Sequence, residues 1–159
     1  MHMKSAVTAG ISFGLTSGVI TTLGLMVGLT YSTRSELAVL GGIATIAIAD
    51  AFSDALGMHI SEESHKGISE KTIWESTFAT LISKFLMAAT FIVPVILLPL
   101  NTAILASIIW GFLLLGVLSY HIATHRDEKP MHVIIEHISI ATLVIVVTFV
   151  VGWSISLIV

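Results

Sequence analysis

The chain has no cysteine in its 159 residues, which excludes disulfides, thiolate metal sites and thiol chemistry. Charge is also scarce. Asp, Glu, Lys and Arg together make up 11% of the residues, against roughly a quarter in a soluble domain. So few charges cannot coat a water-facing surface, and most of that surface must face lipid or another subunit. The formal net charge is -3 with no basic run, so the electrostatic footprint of a nucleic-acid binder is missing. No HExxH occurs, no Ser-His-Asp arrangement is evident, and the only glycine-rich stretch lies inside an apolar run. The sequence therefore gives no sign of an enzyme or of a permanently bound cofactor.

What the chain does have is apolar length. Hydrophobic residues make up 55% of it, and a helix needs about 20 mostly apolar residues to cross a bilayer. Five such runs are expected, at about 6–31, 37–60, 77–100, 102–123 and 133–159. Residues 61–76 form a short polar segment between the second and third. The expected fold is an all-α membrane protein, a single transmembrane domain over 1–159 with five helices, assembled as a homodimeric bundle. Lys4, Lys66, Lys71, Arg126 and Lys129 fall on one side of such a topology and Arg34 on the other. The positive-inside rule then puts the N-terminus in the cytoplasm and the C-terminus outside. The expected location is the cell membrane of a prokaryote.

The first run carries Gly10, Gly14 and Gly18, and then Gly24 and Gly28, at four-residue spacing. That spacing puts small residues on one helix face and lets another backbone approach closely, either within the subunit or across a dimer seam. Thr16, Thr21 and Thr22 either line a polar path or bond to their own backbone.

The second run carries the sharpest chemistry. Asp50 and Asp54 are four apart and share a face, which Met58 continues. An aspartate at the bilayer centre costs at least ~2.5 kcal/mol, and intramembrane acids default to function. Hard carboxylate oxygens with a soft thioether suggest a transition-metal path. The alternative is a structural cluster in which the aspartates pair with Lys84 or with threonine hydroxyls. Beyond them His59, Glu62, Glu63, Glu70 and Glu75 offer ordinary ligands for Fe²⁺, Mn²⁺ or Zn²⁺, or else form a solvated loop of mixed charge. On the same side lie His121 and His125, four apart, and His132, Glu136 and His137. A His pair at that spacing can chelate a metal, although interfacial histidines are commoner.

The stretch Gly10-Ile11-Ser12-Phe13-Gly14-Leu15-Thr16 resembles the first-helix motif of the vacuolar iron transporter, or CCC, family. Ser53-Asp54-Ala55-Leu56-Gly57-Met58-His59-Ile60-Ser61 resembles that family's second-helix motif. The segments 94–99 and 148–153 are similar to its third and fifth helices. The resemblance implies a homodimer that moves Fe²⁺ or Mn²⁺ out of the cytosol in exchange for protons, along a path between subunits lined by helices one and two. Family members place an aspartate on the first helix and a methionine on the second. Here Phe13 stands in the first position and Asp54 in the second. The large Glu-rich cytoplasmic domain that many members carry is reduced to about a dozen residues.

The expected function is thus divalent-metal transport by a homodimer in the lipid bilayer. Asp50 and Asp54 are the expected pore ligands and possible proton carriers, and Met58 the auxiliary ligand. His59, Glu62, Glu63, Glu70 and Glu75 are expected to gather metal at the cytoplasmic mouth. Two alternatives stand beside it. One is an intramembrane metalloenzyme built on His121, His125, His132 and His137, and the other is a structural or accessory membrane protein.

Overall fold

A computed structural model describes residues 2–126 and 128–158, with side chains from residue 6 onward, so the Lys4 side chain used above lies outside the described residues. Six helices follow one another: α1 (His2–Thr33), α2 (Glu36–Glu63), α3 (Glu70–Thr90), α4 (Ile92–Leu97), α5 (Leu100–His125) and α6 (Pro130–Ser156). α3 and α4 are one span broken near its end. Pro94 has no N–H and crowds the carbonyl four residues back, so regular helix stops at Thr90 and resumes after Phe91. Five segments are long and apolar enough to cross a membrane: Ala6–Thr33, Glu36–Glu63, Glu70–Leu97, Leu100–His125 and Pro130–Ser156. The protein is an all-α membrane protein.

Helix ends follow local chemistry. α1 stops where Arg34 takes a left-handed φ of 52°. One residue later Ser35 caps α2 by accepting a hydrogen bond from the Ala38 N–H at 3.2 Å. Ser69 caps α3 in the same way through Thr72 N–H at 3.3 Å, with Glu70 in the favourable first turn. This cap extends the third span well ahead of the expected start at residue 77. The polar segment 61–76 is therefore mostly the ends of α2 and α3 emerging from the membrane, with residues 64–69 as the connection.

α1 is the central helix and packs against α2, α3, α5 and α6. Its Val19, Leu23, Met26 and Val27 meet Ile43, Phe91 and Leu115 in one buried core. The outer faces carry exposed Leu37, Phe52, Leu113, Val117, Leu143 and Trp153, as lipid contact requires. α1 and α6 run parallel, as the contact of Tyr31 with Phe149 at 4.5 Å between ring centroids shows at one end. The first and last helices thus begin at the same end of the bundle.

The glycine ladder of α1 is used inside the subunit. A Cβ on Gly10 would lie 2.6 Å from the Ser76 carbonyl oxygen, and one on Gly14 would lie 2.7 Å from that of Thr80. Gly24 and Gly28 face Val144 and Thr148 of α6, and Gly152 sits against the Gly28 backbone. A dimer seam through this glycine ladder is not compatible with these contacts, because α3 and α6 already occupy the small-residue face. A different stripe lies open on α2. Gly41, Thr45, Ala49, Ser53, Gly57 and Ser61, each four residues apart, are all exposed. A Cβ on Gly41 or Gly57 would meet nothing within 4 Å.

Candidate functional site

Asp50 and Asp54 meet a lysine in the middle of the membrane. Lys84 is 1% exposed and reaches from α3 to both carboxylates. Its Nζ lies 2.5 Å from Asp50 Oδ2, an ion-pair contact out of line for a hydrogen bond. Nζ also donates to Asp54 Oδ2 and, at 2.9 Å, to the hydroxyl of Ser17 on α1. The Ser17 hydroxyl in turn donates to Asp54 Oδ2 at 2.7 Å. Three helices are joined at one ammonium, which donates to Ser17 and Asp54 and is ion-paired with Asp50. Each carboxylate engages through Oδ2.

The depth of the site follows from the helix bounds. α2 has 28 residues and Asp50 stands at its midpoint, and Lys84 stands at the midpoint of the 28-residue span Glu70–Leu97. Lys84 is not near the start of the third span, as a start at residue 77 would have it, because Ser69 starts the helix two turns earlier. Three formal charges at this depth are tolerable only because they are paired. One cation faces two carboxylates, so the cluster carries a net formal charge of -1. The Asp50 and Asp54 side chains keep 27% and 19% exposure. Asp50 also lines a groove of about 520 Å³, together with Leu25, Gly41, Gly42, Thr45, Ile46, Ala49 and Ser53. The groove runs along the open face of α2.

The other expected ligands are not gathered. Met58 is half-buried one turn beyond Asp54. His59 turns to α3, with Nδ1 3.0 Å from Thr77 Oγ1 and its ring against Trp74 at 4.7 Å between centroids. The Thr77 hydroxyl already donates to the Ile73 carbonyl at 2.7 Å, so His59 Nδ1–H is the donor. Glu62 is half-buried, Glu63 and Glu70 are exposed, and Glu75 lies 3.7 Å from Lys71. Among the described residues, no three His, Asp or Glu side chains converge to hold a metal ion. The reason is geometric. The acids at the ends of α2 and α3 lie exposed or half-buried without facing one another.

The four histidines needed for a metalloenzyme do not converge either. His121 and His125 lie side by side, 4.2 Å between ring centroids, and His125 Nδ1–H donates to the His121 carbonyl at 3.0 Å. His137 pairs with buried Ser119 at 2.7 Å, and His132 is exposed. Of the three α1 threonines, Thr16 and Thr21 donate to the Ser12 and Ser17 carbonyls at 2.8 and 2.9 Å, while the buried Thr22 hydroxyl has no hydrogen-bond partner among the described residues. Phe13 lines a different recess, with Thr16, Arg126, Glu136 and His137. One turn further on, Ser17 is the α1 residue that meets the carboxylate. Sequence reasoning missed Ser17 and treated Lys84 only as a pairing partner. The one available signal was the position of Lys84 as the sole charge in an otherwise apolar run.

Compared with known families and characterised proteins, the chain matches no family model and no curated sequence.

Proposed function

We propose that the protein is a transporter of a divalent transition metal, Fe²⁺ or Mn²⁺, acting as a two-fold dimer with Asp50 and Asp54 as the cargo-binding pair. The observation that carries this reading is the acidic pair at mid-membrane, which holds excess negative charge and opens on a groove. Carboxylate oxygens at that depth are suited to a hard or borderline cation, and both side chains keep partial exposure. The small-residue stripe of α2 supports a seam there. In a C₂ assembly the same patch meets itself, and the groove with Asp50 on its wall would face its copy. The dimer would then hold a net formal charge of -2 around its axis, which matches one divalent cation. The loop charges support a cytosolic N-terminus, and the short motifs on α1 and α2 support kinship with vacuolar iron transporters.

A second reading has one observation in its favour. Lys84 satisfies both aspartates internally, as a purely structural cluster tying α1, α2 and α3 would require. Flux into proteoliposomes, measured for Fe²⁺, Mn²⁺, Co²⁺ and Zn²⁺, separates the two. Asp54→Asn keeps the shape and removes the charge. Transport predicts metal uptake by the wild type and none by a folded Asp54→Asn protein. Equal uptake by both, or none by either, would leave the structural reading.

A further inference from the structure

We infer that Lys84 sets the affinity of the acidic pair, holding it low enough that a bound cation can leave; this rests on the transport reading above. Two carboxylates one helical turn apart at mid-membrane depth, without a counter-charge, form a trap for a divalent cation. Conduction needs a site favourable enough to enter and weak enough to leave. Lys84 supplies the weakening. Its ammonium lies 2.5 Å from Asp50 Oδ2, contacts Asp54 Oδ2 and is 1% exposed, so almost no solvent screens it from the pair. It lowers the formal charge of the cluster from -2 to -1 and engages one oxygen of each carboxylate. The groove beside Asp50 stays open to the cargo. The ammonium is tethered, so this competitor cannot be diluted or washed out.

A residue that only held the helices together would cost binding when removed. Lys84 should do the reverse. At an effective dielectric of about 20, a unit charge ~5 Å from a divalent cargo changes affinity by about 10⁴–10⁵-fold. The experiment is Mn²⁺ binding to purified, detergent-solubilised protein, followed by calorimetry, with Mn²⁺ efflux from loaded proteoliposomes alongside. K84Q, at net charge -2, should bind Mn²⁺ more tightly by that order and release it more slowly. The double variant D50N/K84Q buries fewer charges and so remains informative if K84Q does not fold. Its net charge of -1 should bring affinity close to wild type, while D50N alone, at net 0, should bind most weakly. Affinity that follows the charge of the cluster in this order supports the inference. K84Q no tighter than wild type, or D50N/K84Q no tighter than D50N, overturns it. Failure of every form, wild type included, to bind any of the four metals overturns the transport reading instead.

Discussion

Gly14 offers a direct measure of how tightly α1 is held. In Gly14→Ala the added Cβ would meet Ser83 Oγ, lie 2.7 Å from the Thr80 carbonyl oxygen and lie 3.1 Å from Lys84 N. Ser83 can turn away, but the other two atoms belong to the α3 backbone and can yield only if the helices separate. Overpacking of this kind costs about 1–3 kcal/mol. Replacing a mid-helix glycine by alanine returns up to ~1 kcal/mol of backbone entropy. The net expectation is a loss of about 1–2 kcal/mol. Gly116→Ala on α5 is the control, since a Cβ there meets nothing within 4 Å and only the favourable term remains. The assay is equilibrium unfolding of both variants in mixed detergent, followed by helical circular dichroism. The same chemical change should destabilise at Gly14 and be neutral or stabilising at Gly116. Equal midpoints for the two would refute the close α1–α3 approach and the intrasubunit role of the ladder.

Two further outcomes are expected. Gly57→Leu adds bulk on the open stripe of α2, where nothing in the chain lies within 4 Å, so on the proposed two-fold seam it should leave the fold of the chain intact and convert dimer to monomer in cross-linking and light scattering. Because the chain has no cysteine, single cysteines at Arg34 and Lys66 give clean topology reporters. They should react with an impermeant maleimide from opposite faces of a sealed vesicle, Lys66→Cys from the cytosolic side, and labelling from one face would break the five-span topology.

The fold was legible in the sequence because a bilayer imposes one dominant constraint. Long apolar runs must be helices, and charges must lie at their ends or inside the bundle. Boundaries were less legible where a polar helix end leaves the membrane. Ser69 and Glu70 form an ordinary cap and first turn, but hydropathy alone places the start of that helix at the membrane surface near residue 77. The aspartates of the site could be read because a pair at i, i+4 on an apolar helix has few explanations. Their partners could not. Ser17 is one hydroxyl among many on α1, and nothing local distinguishes it from Thr16 or Thr21, which bond only to their own backbone. The glycine ladder was recognised as a close-packing face, but spacing does not tell which helix approaches. The α2 stripe that stays open is built from Gly, Thr, Ala and Ser, a mixture less conspicuous than glycine alone.

The ladder and the charged centre are parts of one construction. A Cβ on Gly14 would lie 3.1 Å from Lys84 N, and one on Gly18 would lie 3.2 Å from Lys84 O. The two glycines therefore bracket the backbone of Lys84 and seat it against α1. Ser17, beside Gly18 on the neighbouring face, offers its hydroxyl to Nζ at 2.9 Å. From that seat the lysine chain reaches α2 with its ammonium between two carboxylates. A side chain at Gly14 or Gly18 would push α3 outward and draw Nζ away from Asp50 and Asp54. The acids would then be left without their counter-charge at the depth where that is most costly. The small residues of α1 thus set the distance over which Lys84 acts, and through it the charge that the cluster presents to the groove.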